Sequence, residues 1–289
     1  MPVRRCDASL SPRKPAFLPL ALCTTMQSKS LVVIGAAALA LPLACSGSPP
    51  DEGAGNGGSG RGSGGDPGEG LRFVPEGLSS TDMDEDGAGL ELVAFTLVQG
   101  AAGPELYAAV RNDGETPSCD AGLMFYFIDK ADQLVTTWGG SLLSGRLYRL
   151  DDGSGVMIPC IAPGEIAMTG SADLPGELVI EELGYLKHRF PAFTVDVVPV
   201  DAVTVSEVKT VGRGAGSAYT GTLENRLDVA VSDPKITVFP VNRAGRPLGM
   251  ATSSAAADIP PGGIWTFETT TVGDVGAGHV AYPTVSVPP

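Results

Sequence analysis

Histidine is nearly absent from this sequence, which contains only His188 and His279 among its 289 residues. A Ser-His-Asp triad or a zinc site needs a histidine with suitable partners, and no Cys/His spacing suggests zinc. His188 comes shortly before the aromatic-Pro pair Phe190-Pro191, and His279 comes shortly before Tyr282-Pro283. Because the two histidines share this sequence context, we expect both to have a structural role. An exposed His188 beside an acid would instead favour a carbohydrate- or peptide-active hydrolase on the same scaffold.

Motifs that mark common enzyme classes are also missing. There is no Gly-x-Ser-x-Gly elbow and no P-loop. Gly212–Gly216 is rich in glycine, but it precedes the strand predicted at Ala218–Glu224, so no helix N-terminus is present to hold a phosphate. This segment is predicted to be a hairpin. We therefore expect a protein that is not an enzyme and needs no cofactor.

Helical periodicity is scarce after residue 45, and Val179–Arg189 is the one segment that fits a helical turn or two. Short runs rich in β-branched and aromatic residues, bounded by Gly, Pro, Asn or Asp, predict an all-β protein instead. These runs are Leu90–Val98, Glu105–Arg111, Leu123–Asp129, Ile166–Gly170, Phe193–Val198, Ala218–Glu224, Ile236–Val241, Ile264–Thr270 and Thr284–Val287.

The longest unbroken apolar run is Leu31–Leu41, which is too short to cross a bilayer but suits a signal peptide. It is followed by Pro42-Leu43-Ala44-Cys45, which resembles the lipobox of bacterial lipoproteins. That resemblance implies cleavage before Cys45 and a lipid on its thiol. We expect residues 26–44 to be the signal peptide, with Met26 as the true start and residues 1–25 untranslated or unstructured.

The segment after Cys45 has the composition of a tether, since 11 of the 25 residues from 46 to 70 are glycine. Residues 45–87 are predicted to form a disordered linker between a lipid anchor in the membrane and a folded body. Ser46 after the cysteine resembles an outer-membrane sorting signal. An ordinary secreted protein that is cleaved elsewhere is the alternative.

The charge is strongly acidic. The chain has 19 basic and 33 acidic residues, and five of the bases and one of the acids precede Cys45, which leaves a net charge of −18 beyond it. Such a charge repels nucleic-acid phosphates and anionic lipid headgroups. We therefore expect no nucleic-acid partner, and an envelope protein or a glycan as the ligand.

Five cysteines are present, and only Cys119 and Cys160 remain when the first 45 residues are set aside. A single pair in an exported protein predicts a disulfide, and the loop of about 40 residues would stabilise the fold by roughly 3–4 kcal/mol. Two free buried thiols are the alternative.

One acidic cluster has the opening of a calcium loop. Asp82, Asp84 and Asp86 alternate before Gly87, but Val93 stands where the loop needs a bidentate glutamate. The cluster is either a weak calcium site or simply the acidic end of the tether.

An internal repeat organises the remainder of the chain. With a shift of 113 residues, Tyr107–Val135 aligns with Thr220–Leu248 without gaps, and a shift of 98 aligns the Pro-Gly turns at 162–165 and 260–263. We expect two tandem immunoglobulin-like antiparallel β-sandwiches, at 88–200 and 201–289.

The second copy carries a family resemblance. Gly221–Asn225, the polar turn Asn242–Gly245, the Pro-Pro-Gly-Gly turn and an aromatic strand with Trp265 and Phe267 resemble FxLyD-type modules of secreted and lipoprotein chains. The resemblance implies a β-sandwich that serves as a spacer or binding module without catalytic residues. Asn112 and Asn225 are expected to bond backbone groups within a turn.

The first copy contains about 15 extra residues, which we place at Gly139–Gly155. This insert is apolar and locally basic, which makes it a possible contact loop in so acidic a chain. An extra hairpin that buries its leucines against the sandwich is the equal alternative. The candidate contact residues are Leu142, Leu143, Arg146, Leu147, Tyr148 and Arg149.

Overall fold

The structure, a computed structural model, describes residues 78–83, 89–100, 102–212 and 216–287, and the backbone of two short strands at 32–34 and 72–73. The all-β prediction is confirmed, since the described part consists of strands and loops with no α-helix, and its one named 3-10 turn is η1 (Ile180–Glu182). The strands are β1 (Val32–Ile34), β2 (Arg72–Phe73), β3 (Ser80–Asp82), β4 (Leu90–Gln99), β5 (Pro104–Asn112), β6 (Ser118–Cys119), β7 (Gly122–Asp129), β8 (Leu134–Ser141), β9 (Arg146–Leu150), β10 (Met157–Ile161), β11 (Ile166–Ser171), β12 (Leu183–Arg189), β13 (Val197–Val200), β14 (Val203–Val211), β15 (Ala218–Asn225), β16 (Ser232–Val241), β17 (Ala251–Ser254), β18 (Ile264–Glu268) and β19 (Gly278–Ser286).

The first sandwich consists of two facing sheets. Sheet I has the strand order β11-β5-β4-β2, and sheet II has the order β3-β12-β7-β8. Alternate residues of each strand point inward, so Leu106 from sheet I meets Phe125 and Phe127 from sheet II in one apolar core. These three side chains are fully buried. Along β7, inward residues such as Phe125 and Phe127 are buried and the residues between them are half-buried.

The second sandwich repeats this order. Sheet III is β14-β15-β18 and sheet IV is β1-β19-β16-β17, and the core between them contains Tyr219, Leu223 and Phe267. The edge strand β1 of sheet IV, Val32–Ile34, comes from the predicted signal segment and pairs antiparallel with β19. No helix in the described residues is long and apolar enough to cross a membrane.

Two turns of the repeat are held by the same hydrogen bonds in both sandwiches. The Asn112 side-chain amide donates to the carbonyls of Thr116 and Ile161, and the Asn225 amide donates to those of Val229 and Ile259. Each asparagine Oδ1 also accepts a backbone N–H two residues further on. The asparagines therefore bond backbone groups, as the sequence predicts.

The polar turn after β7 and β16 is also shared. Asp129 Oδ1 accepts the backbone N–H groups of Ala131 and Gln133, and Asn242 Oδ1 accepts those of Ala244 and Arg246. Because only the oxygen is used here, aspartate and asparagine are interchangeable at this position, whereas the buried turn requires an amide.

The two sandwiches stack through the outer faces of sheets I and IV. Tyr107 and Met168 from sheet I pack against Phe239 and Tyr282 from sheet IV in a separate apolar cluster. The Tyr282 hydroxyl donates to the Ile166 carbonyl at 2.8 Å. The molecule is therefore a four-layer stack in the order II, I, IV, III, with sheets II and III outermost.

The insert forms a fifth sheet rather than a free contact loop. Sheet V has the order β13-β9-β10-β6, and β9 lies within the predicted insert. Leu142, Leu147 and Tyr148 are at most 4% exposed, Leu143 is half-buried, and only Arg146 and Arg149 reach solvent. The contact-loop interpretation is therefore wrong for the apolar side chains. Leu147 packs into the core of the second sandwich, because sheet V bridges the two halves.

Val179–Arg189, the segment predicted to contain helical turns, is mostly strand. A single 3-10 turn covers Ile180–Glu182, and β12 follows at once. The strand forms because β12 pairs with β7 on one side and β3 on the other, which satisfies its backbone groups without a helix.

Candidate functional site

Several predicted site residues lie outside the described residues. Cys45, Asp84 and Asp86 are among them, while Asp82 ends β3. The described part of the chain holds no group of three His, Cys, Asp or Glu side chains arranged for a metal ion. Lipidation of Cys45 and calcium binding at the acidic cluster therefore stay predictions.

The predicted disulfide between Cys119 and Cys160 is confirmed. The two residues lie opposite each other on β6 and β10, and both are at most 1% exposed. Tyr148 and Ile158 pack around the bond in a small apolar cluster. The disulfide thus joins two paired strands of sheet V, β10 and the short strand β6 that precedes β7.

His188 lies beside an acidic residue but is not exposed, so it meets only one of the two conditions that would favour a hydrolase. Its Nδ1 lies 2.7 Å from Ser80 Oγ, and its Nε2 lies 4.0 Å from an Asp82 carboxylate oxygen. The ring is only 6% exposed and packs against Phe125 and Phe190. Burial lowers the pKa of His188, opposed by the Asp82 carboxylate, which favours the neutral ring. This arrangement fastens β3 to β12 within the core.

His279 has a different environment from His188, although the two occupy matched places in the repeat. Its half-buried ring lies 5.2 Å from the ring of Tyr219, and burial lowers the pKa of His279. The Tyr219 hydroxyl donates to the Val275 carbonyl, and burial raises the pKa of Tyr219 to about 12. His279 is therefore a packing residue.

The outer face of sheet II carries a cluster that the sequence did not single out. Tyr126 lies on β7 beside Lys187 on β12, and Arg189 lies beside Met124 one pair further along. Residues 124, 126, 185 and 187 are half-buried, and Arg189 is exposed. We name this cluster the tyrosine–cation face: Met124, Tyr126, Tyr185, Lys187 and Arg189.

Within this face each cation covers a tyrosine ring. Lys187 Nζ is 5.7 Å from the centroid of Tyr185, and the Arg189 guanidinium carbon is 5.9 Å from that of Tyr126. A cation–π contact attracts the cation to the ring face but does not neutralise its charge. The Arg189 guanidinium also donates to the Met124 sulfur at 3.4 Å. Neither cation forms an ion pair with a carboxylate of the described residues.

One carboxylate, that of Asp132, lies at the edge of the tyrosine–cation face. The Tyr185 hydroxyl donates to Asp132, and this bond to a carboxylate raises the pKa of Tyr185. The bond fixes the ring of Tyr185 below Lys187, so that the aromatic surface is preorganised. Tyr185, Lys187 and Arg189 are spaced two residues apart, which in a strand places them on the same face. The sequence contains this signal, but a helical interpretation of the segment does not bring the three residues together.

A concave surface lies on the second sandwich. A groove of about 330 Å³ runs between the chain after β17 and the edge strand β18, lined by Ala256, Pro260 and Trp265 among others. Ile264 at its rim is 67% exposed, and Trp265 packs against Phe267 at 5.7 Å. The groove is shallow and apolar, and no charged side chain other than Asp258 lines it.

Comparisons with known proteins do not assign a family. No family model matches the chain, and no curated protein matches it. Among solved structures, a transglutaminase from red sea bream is similar at 13% sequence identity and a TM-score of 0.20, over 64% of this chain and 27% of that one. A likeness at that level carries no argument about fold or activity.

Proposed function

We propose that this protein is a non-catalytic, lipid-anchored envelope protein that binds an acidic glycan through the tyrosine–cation face. The observation that carries the proposal is the pair Lys187 and Arg189, which lie on an outermost layer over tyrosine rings. The chain as a whole has a net charge of −14, so an anion is repelled by most of its surface.

A glycan fits this face better than a peptide does. β7 and β12 are inner strands of sheet II, with neighbours on both sides, so their backbone groups are already paired. Recognition must therefore use side chains alone. Tyr126 and Tyr185 offer apolar ring surface for a sugar, and the two cations offer partners for its carboxylate or phosphate groups.

The anchor is the second element of the proposal. The lipobox at Cys45 and the glycine-rich segment after it support a chain tethered to the outer membrane, with its sandwiches held away from the bilayer. Intact mass spectrometry of the membrane-extracted protein tests this element. A chain that begins at diacylated Cys45 supports it, and an unlipidated chain contradicts it.

A hydrolase is the alternative, and it would have to use Ser80 and His188. We do not extend the proposal to it, because the His188 ring is buried between Phe125 and Phe190 and has little access to a substrate. An activity lost on Ser80→Ala but kept in Lys187→Glu would favour the hydrolase.

Binding of polygalacturonate, with neutral dextran as the comparison polymer, tests the glycan site. The double variant Lys187→Glu/Arg189→Glu should bind polygalacturonate at least about ten-fold more weakly, because it reverses both charges. The matched control Lys235→Glu/Arg243→Glu reverses two exposed cations elsewhere and should lose much less. Equal losses in the two variants, or equal binding of dextran, would contradict the proposal. Stronger binding to polyglutamate would indicate an acidic protein instead.

A further inference from the structure

The groove of the second sandwich lies beside β18, the edge strand of sheet III. β18 pairs with β15 on one side only, and that pairing is regular, without a register shift. Residues 255–260 form the opposite wall of the groove. Its volume of about 330 Å³ is near the lower end of the range for ligand pockets, which is roughly 300–1,000 Å³. One wall of this cleft is therefore an open sheet edge.

The backbone of β18 has hydrogen-bonding groups that point away from β15. In an antiparallel pair, every second residue bonds the neighbouring strand, and the residues between them direct their N–H and C=O groups to the other side. Just before β18, the Gly263 carbonyl accepts a bond from the Asn225 N–H, and just after it the Thr269 N–H donates to β15. Alternation between these two bonds leaves three residues of β18 that face away from β15: Ile264, Thr266 and Glu268. Within the described residues, no backbone group of another segment bonds those three.

Apolar side chains surround this row of backbone groups. Ile264 is 67% exposed, the largest value among the exposed large hydrophobic residues of the described part of the chain. Trp265 is half-buried, and its packing against Phe267 holds the indole at the groove. Ala256 and Ala257 on the opposite wall are exposed and small. Exposed apolar residues that are contiguous, rather than scattered singly, mark a surface that another molecule covers.

The charges at the groove are acidic. Asp258 lies on its wall, and β15 and β18 together contain Glu224 and Glu268 but no lysine or arginine. Arg226, which follows β15, is paired with Asp201 at 2.8 Å and with Glu224 at 3.5 Å. Asp258 and Glu268 form no ion pair within the described residues. The groove therefore attracts positive charge, as does the whole chain with its net charge of −14.

We propose that this groove binds an extended peptide segment of another protein, in which apolar residues alternate with lysine or arginine, and that the segment adds a strand to sheet III at β18. When a peptide adds to an open sheet edge, main-chain hydrogen bonds give affinity and the sites for alternate side chains give selectivity. The open backbone row of β18 supplies the first, and the apolar and acidic groups beside it supply the second. A sugar would leave that backbone row without the regular partners that a peptide offers.

The alternation in the peptide follows from the two faces of sheet III. Trp265 pairs with the buried Leu223 and so lies on the inner face, whereas Ile264 and Glu268 lie on the outer face. Side chains of an added strand alternate between these faces. The inner set lies in the groove beside Trp265 and must be apolar. In the outer set, a lysine or arginine covers Ile264 with its aliphatic stem and places its charge beside Glu268.

Fluorescence anisotropy with the full-length chain and labelled peptides tests the proposal. The alternating peptide Lys-Val-Lys-Ile-Lys-Val-Lys should bind at least about ten-fold more tightly than a peptide of the same composition arranged in two blocks, because in a strand only alternation separates apolar from basic side chains. N-methylation of the amides of the alternating peptide should weaken its binding at least about ten-fold, because it removes hydrogen-bond donors and keeps the charge. The acidic counterpart, with glutamate in place of each lysine, should bind most weakly of all, because the groove repels it.

Two matched substitutions locate the site on the molecule. Ile264→Lys places a positive charge at an exposed residue of the groove and should weaken binding of the alternating peptide at least about ten-fold. Leu134→Lys makes the same kind of change on β8, at a residue that is 57% exposed, and should weaken binding less than about two-fold. Equal losses in the two variants would overturn the proposal. Equal binding of the alternating, block and N-methylated peptides, or no binding of the alternating peptide, would also overturn it.

Discussion

Asn225 provides a direct test of how each sandwich is held together. Its side chain is fully buried, and its amide donates to the carbonyls of Val229 and Ile259 at 2.8 and 2.9 Å. Its Oδ1 accepts the Leu227 N–H at 2.9 Å. Replacement by aspartate preserves the shape and the acceptor but removes both donated bonds.

The expected cost follows from the groups left behind. Asn225→Asp leaves two buried carbonyls without a donor and turns a carboxylate oxygen toward them, and each orphaned carbonyl costs about 1–3 kcal/mol. A protonated aspartate could restore one of these bonds, at the cost of raising its pKa. We therefore expect the free energy of unfolding to fall by about 3–5 kcal/mol at neutral pH.

The same substitution at Asn242 is the matched control. Asn242 lies in an exposed turn and uses only its oxygen, which aspartate retains, so Asn242→Asp should cost less than about 0.5 kcal/mol. Asn112→Asp should cost as much as Asn225→Asp, because the two turns share their bonds. Urea unfolding followed by near-ultraviolet circular dichroism measures all three. A loss for Asn225→Asp that matches the loss for Asn242→Asp would refute the reasoning.

Three further predictions concern the core and the interface. Burial lowers the pKa of His188 and His279, so the unfolded chain takes up protons more readily, and the free energy of unfolding should fall as the pH drops through about 6.5. In urea titrations from pH 7.5 to 5.5, the free energy of unfolding should fall less steeply with pH for His279→Asn than for the parent. An unchanged pH dependence in that variant would contradict the assignment. Cys119→Ser/Cys160→Ser should lower the free energy of unfolding by roughly 3–4 kcal/mol, equal to the effect of reductant on the parent, and reductant should not affect the variant. Tyr282→Phe removes one hydrogen bond between the sandwiches and should cost about 1 kcal/mol in urea unfolding, whereas a loss near zero would show that packing alone holds the interface.

The features that sequence predicts best here are local. The polar turns after β7 and β16, and the bonds that Asn112 and Asn225 form within their own turns, depend on residues close in sequence. Residue type and spacing are enough to predict hydrogen bonds of this kind. The repeat was visible for the same reason, although the two copies share few identical residues. The second bond of each asparagine amide, to Ile161 or Ile259, joins distant segments and is not local.

The features that sequence could not predict depend on distant segments. From the sequence, Leu147 could equally be a contact residue or a core residue. It is a core residue because it packs into the second sandwich, which is distant in sequence. Ser80 meets His188 because β3 pairs in parallel with β12 across 108 residues. The tyrosine–cation face likewise appears only once β12 is recognised as a strand, since a helix would scatter its alternating side chains.

The bond between Cys119 and Cys160 also determines how the molecule responds to force. A chain tethered at one end and bound to a partner through its body is under tension whenever the two are pulled apart. The disulfide closes a loop with a sequence separation of 41, and that loop cannot lengthen while the bond is intact. Forced unfolding of the oxidised protein should therefore release about 140 Å less chain than unfolding of the reduced protein. The segment between β6 and β10 thus has a fixed limit to its extension, set by a covalent bond between two strands of sheet V.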